Sequence, residues 1–81
     1  MADASYGTLA ELTHGETADI TGFANDFTHD DRYTELGFTP GTTVTLLCRA
    51  LFGDPIVILV RGTRYALRRV DAAGILVKKL S

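Results

Sequence analysis

From Thr43 onward the chain is written in short β-prone stretches, each closed by a turn signal before it reaches nine residues. That rhythm constrains the fold most, because strands this short must pair with several neighbours to bury one face. Thr43 to Ala50 alternates, with Val44, Leu46, Cys48 and Ala50 on one side and Thr43, Thr45, Leu47 and Arg49 on the other. The first set, Cys48 included, is expected in the core. Leu51-Phe52-Gly53-Asp54-Pro55 interrupts the pattern, and Ile56 to Val60 resumes it as an aliphatic run suited to a central strand. Gly62-Thr63 is read as a two-residue turn that folds Arg64 to Arg68 back as an antiparallel neighbour. Ile75 to Leu80 closes the series with Ile75 and Val77 inward and Lys78 outward, and the intervening Val70 to Gly74 is too short for a full helix.

The first half is less regular. Residues 1–7 carry no period and read as a flexible start, and Leu9 and Leu12 followed by Gly15 suggest a short helical turn or tether. Thr17 to Thr21 alternates with Ala18 and Ile20 on one side, a first short strand. Thr28 to Leu36 is expected to be helical: Thr28 can cap, Asp30 and Asp31 lie in the first turn, and Gly37 supplies the stop. Thr39-Pro40-Gly41 is a turn, with proline presetting φ and glycine accepting the positive φ of a type II turn. Five strands and one helix in 81 residues leave room for one domain. They are too few strands for a sandwich and fit a mainly β, half-open SH3-like barrel.

Chemistry is conspicuously thin. The chain holds no glycine-rich phosphate loop, no cysteine pair and no nucleophile, base and orienter series, so it is not expected to be an enzyme or to carry a cofactor. The one metal-like cluster, Asp26, His29, Asp30, Asp31 and Glu35, lacks ligand spacing and reads more simply as a helix N-terminus in water. His14, beside Gly15, is a loop residue, and Cys48 a small core hydrophobe. Phe23, Phe27, Tyr33 and Phe38 surround the helix and belong mostly to the core. Leu51 and Phe52 differ, because they sit in a turn, where exposure is the default, and either contact with a partner or a fold-back onto the barrel would cover them.

Charge is split along the chain: residues 1–41 sum to −7 and residues 42–81 to +5. Mutual neutralisation across a small surface is the simplest reading. A lone cysteine and the lack of a leader pattern point to a cytoplasmic protein, and no apolar run approaches a membrane span.

Three segments carry a resemblance: Arg32-Tyr33-Thr34-Glu35-Leu36-Gly37-Phe38-Thr39-Pro40-Gly41, then Ala50-Leu51-Phe52-Gly53-Asp54-Pro55-Ile56, then Gly62-Thr63-Arg64-Tyr65-Ala66-Leu67-Arg68-Arg69. Together, and in this order, they resemble the ferrous iron transport protein A (FeoA) family, over residues 9–79. Tyr33 stands where an aliphatic residue is commoner in that family, and Leu51 where a proline often stands. The resemblance implies a non-catalytic cytosolic accessory of bacterial ferrous iron uptake, with a FeoB-like membrane GTPase permease as partner. Leu51, Phe52, Arg64, Arg68 and Tyr33 are the candidate contact residues, and a homo-oligomer stays open. The module also resembles the C-terminal domain of iron-dependent repressors, which makes a metal-responsive regulator one alternative; a metal chaperone is a further reading that rests on the acidic cluster alone, with Asp26, His29 and Asp30 as weak candidate ligands and no metal site expected. The other alternative is a nucleic-acid-binding barrel that sets Arg61, Arg64, Arg68, Arg69, Lys78 and Lys79 against phosphates. It is the weaker reading, since only Tyr65 in that stretch could stack on a base.

Overall fold

The computed structural model describes residues 5–80. Six strands, β1 (Ser5–Thr8), β2 (Thr17–Phe23), β3 (Thr43–Arg49), β4 (Ile56–Val60), β5 (Thr63–Leu67) and β6 (Ile75–Lys79), form one antiparallel sheet in the order β1-β6-β2-β3-β4-β5. Two helices interrupt them, α1 (Asp30–Leu36) and the single turn α2 (Arg69–Ala72).

The sixth strand is the one not expected. Of the supposed flexible start, Ser5 to Gly7 belong to β1, which pairs Tyr6 with Lys78 and Gly7 with Val77; residues 1–4 lie outside the described ones. Leu9 and Leu12 follow in a 3-10 turn (Leu9–Glu11) and are fully buried, and Glu11 Oε1 accepts the Thr8 N–H at 3.0 Å. This segment closes one end of the core. Arg49 fastens it, because its guanidinium donates to the carbonyls of Ala10 and Leu12.

Strands β2 to β6 turn alternate side chains inward: Ala18 and Ile20, Val44 and Leu46, Ile56, Ile58 and Val60, Leu67, Ile75 and Val77. Cys48 and Ala50 do not follow. Between Leu46 and Cys48 the β3–β4 register slips, so that Leu46 faces Ile58 but Cys48 faces Val57, which leaves Leu47 as the extra residue. One inserted residue exchanges the two faces of a strand, and Cys48 is accordingly exposed.

Helix α1 starts one residue later than a Thr28 cap would set it, at Asp30, with His29 in the capping position and no side-chain cap bond. Its end is as expected: Gly37 adopts φ 106 and its N–H closes on Thr34 and Tyr33. Thr42 N–H to Thr39 O at 3.0 Å, with Gly41 at φ 90, makes the type II turn into β3. The β4–β5 turn is displaced by one residue and built by Arg61 (φ 51) and Gly62 (φ 82), an I′ pair, so β5 begins at Thr63. Against the sheet lies an aromatic chain, Phe23 on Phe27 at 5.2 Å, Phe27 by Tyr33 at 5.7 Å, Tyr33 by Phe38 at 5.3 Å and Phe38 by Tyr65 at 5.8 Å.

Candidate functional site

The Leu51–Gly53 turn connects β3 to β4 where the alternating ladder has run out. Phe52 has φ 65 and ψ 15 and Gly53 has φ 79, so two successive left-handed residues reverse the chain. Glycine does this without strain, whereas a residue with a Cβ costs roughly 1–2 kcal/mol there. The backbone around it is tied: Gly53 N–H reaches Ala50 O and Ala50 N–H reaches Pro55 O, both at 2.8 Å. Asp54 Oδ1 accepts the Arg69 N–H at 3.0 Å and brings α2 alongside. The side chains that result point into solvent, Leu51 80% and Phe52 93% exposed. An aromatic ring held outward on strained backbone stabilises nothing within the chain, which makes it a candidate contact.

Val70 of α2 is likewise exposed, at 70%, and the sequence pattern alone does not single it out. Ala72, two positions on, is the buried residue of that single turn, and helical residues two apart do not share a face. Arg68 precedes α2 and also lines an open cleft of about 380 Å³ whose other walls include Asp26, Phe27, His29, Val70 and Asp71. Arg64 is elsewhere. It pairs with Leu59, while Leu67 pairs with Ile56 at the root of the turn, so Arg64 stands three residues, about 10 Å, away along β5.

Tyr33 does not reach the surface. It is 6% exposed, and its hydroxyl donates to Asp71 Oδ2 at 2.8 Å, linking α1 to α2. Burial, and then the carboxylate that accepts its proton, push its pKa up to about 12. A contact through the Tyr33 ring is therefore corrected to a structural role beneath the cleft. Asp26 and His29 line that cleft and Asp30 opens α1, but among the described residues no three His, Cys, Asp or Glu side chains assemble into a set that could hold a metal ion.

The acidic and basic halves meet across β2 and β6, where Asp19 stands opposite Lys78, while several charged groups bond to neutral partners. The Arg49 and Arg61 side chains bond to carbonyl and hydroxyl oxygens, and Asp19, Asp54 and Asp71 accept from Thr43 Oγ1, the Arg69 N–H and Tyr33. Of the six basic residues proposed against phosphates, Arg64 lies on β5 and Lys78 and Lys79 on β6, four places away in the sheet. Tyr65 is half-buried and packs against Phe38, so it is a poor stacking platform for a base.

The FeoA domain family model matches residues 7–79. The chain belongs to the FeoA family. Among solved structures, this FeoA-family chain is similar to an iron uptake regulatory protein (FeoA), with 28% identity, 94% of this chain and 99% of the other covered and a TM-score of 0.81. It is similar to FeoA of Chlorobium tepidum at 34% identity, covering 91% and 70%, with a TM-score of 0.83. FeoA of Stenotrophomonas maltophilia complexed with zinc, described as a procaryotic SH3 domain protein, matches at 31% identity over 86% and 87% with a TM-score of 0.76. The mainly β, SH3-like architecture is thus that of the family. A manganese-dependent transcriptional repressor shares the fold, with a TM-score of 0.79 at 21% identity and 38% of that chain covered. Among curated proteins none matches.

Proposed function

We propose that this FeoA-family chain is a non-catalytic, cytoplasmic accessory of ferrous iron uptake that binds the cytoplasmic part of a FeoB-like GTPase permease. Leu51 and Phe52 are the apolar anchors of that contact, and exposed Arg68 supplies a charged border. The observation that carries this reading is Phe52, an aromatic ring 93% exposed on left-handed backbone in a turn tied at three points. Support for the pathway comes from the family, one of whose members, the S. maltophilia protein, is put forward as a ferrous iron transport activating factor. Among the described residues no helix is long and apolar enough to cross a membrane, which fits an accessory that meets the permease from outside the bilayer.

Calorimetry against the isolated GTPase domain tests it. Phe52→Ala is expected to weaken binding by about 1–3 kcal/mol, the usual span for an interface aromatic. Arg68→Glu is expected mainly to slow association and to change its salt dependence. Wild-type affinity in Phe52→Ala would place the contact elsewhere.

A further inference from the structure

The sheet ends on β5, and nothing described outside β4 pairs with that strand's backbone. The I′ turn at Arg61 and Gly62 makes Val60 and Thr63 a hydrogen-bonded pair, and alternation then assigns ladder bonds to Ile58–Tyr65 and Ile56–Leu67. Arg64 and Ala66 fall between these pairs, so their N–H and C=O groups, four in all, point away from the sheet. Both residues are exposed, as is Thr63. The edge is therefore an open template for another strand.

We propose that the β5 edge binds an extended, acidic segment of a partner protein by antiparallel strand addition. Charge decides the occupant. From Arg61 to Val70 the chain carries four arginines and no acid. A second copy, paired antiparallel about the same edge, would bring two Arg64 side chains onto one seam with Arg61 and Arg68 at its ends, and like charges that close repel. The same arginines that discourage self-pairing attract a strand of opposite sign. The outer face next to Ala66 carries half-buried Val57, its cross-strand neighbour, and that beside Arg64 carries half-buried Leu59. The guest therefore places a carboxylate opposite Arg64 and tolerates an apolar residue two positions earlier, opposite Ala66. The inference stands apart from the Leu51–Phe52 reading, because a peptide probes the edge without any GTPase.

The probe is a blocked heptapeptide alternating threonine with glutamate, titrated into the whole protein by amide NMR, which detects millimolar binding. The Arg64 and Ala66 amides are expected to shift and to exchange more slowly, and a threonine-lysine counterpart is expected to bind at least tenfold more weakly. Ala66→Pro removes one outward N–H without touching the ladder to β4 and is expected to abolish binding. Methylating alternate amides of the peptide makes the same test without altering the protein. Equal binding of both peptides, shifts remote from β5, or binding indifferent to the proline and the methylation would overturn the proposal. So would concentration-dependent dimerisation that protects the same amides with no peptide present.

Discussion

Replacing Phe52 by glycine separates strain from burial. The ring is 93% exposed, so of the roughly 200 Å² a phenylalanine can bury only about 15 Å² is covered, worth about 0.4 kcal/mol. Its left-handed φ of 65 costs roughly 1–2 kcal/mol, which glycine does not incur. Against that relief stands the larger conformational freedom of glycine in the unfolded chain, about 0.5–1 kcal/mol. The difference leaves Phe52→Gly between about 0.4 kcal/mol less stable and about 1 kcal/mol more stable than wild type. For a chain this size 1 kcal/mol moves the melting temperature by about 6 °C. Phe52→Ala keeps the strained backbone and loses only the ring, so it should melt within about 3 °C of wild type. Both variants should lose affinity for the GTPase domain alike. Calorimetric melting and binding on the same samples check this. A fall of 5 °C or more in either variant would show that the ring is packed against the protein, and the argument from an unsupported outward aromatic would fail.

Leu46→Asp puts an unpaired charge at a fully buried position and should leave a chain of this size unfolded by circular dichroism, whereas Cys48→Asp, two residues on but beyond the bulge, should melt almost as wild type. Gly74→Ala would drive a methyl group into the Phe27 ring, which is held between Phe23 and Tyr33, and should cost about 1–3 kcal/mol in urea unfolding. Tyr33 is the pH-sensitive element: its folded pKa of about 12 lies above its ordinary value of 10, so the stability it contributes is complete below pH 10 and lost as pH rises through 12. Tyr33→Phe should cost about 1 kcal/mol at neutral pH and remove that alkaline loss from the urea midpoint.

What could be read from the residues was whatever local chemistry decides. Val44, Leu46 and the Ile56 to Val60 run declare their faces by alternation, and Gly37 and Gly41 announce their turns because only glycine takes those angles cheaply. Cys48 and Ala50 were misplaced because a bulge is a property of two strands in register, and neither strand alone encodes it. Strand β1 escaped notice for a similar reason: Ser5-Tyr6-Gly7-Thr8 has no apolar face of its own and exists only as a partner to β6. At the candidate site Leu51 and Phe52 were legible as apolar residues in a turn. Arg64 and Arg68 read as one charged border from a neighbouring strand, but four residues of extended chain separate the two by about 13 Å.

The placement of the exposed apolar residues follows from how the core is closed. Every long aliphatic side chain that alternation can turn inward is used there, and α1 is locked to α2 through Tyr33 and Asp71. Phe52 stands outside that core, presented by a turn whose backbone is held at φ 65 and tethered at Ala50, Pro55 and Asp54. The ring is thus presented by the same hydrogen bonds that fix the hairpin. Relaxing the turn, by Asp54→Ala for instance, would free the ring to collapse onto α2, and recognition would suffer without any contact residue having changed. A surface of this kind binds with little loss of conformational entropy, because its anchors are already held in place before the partner arrives.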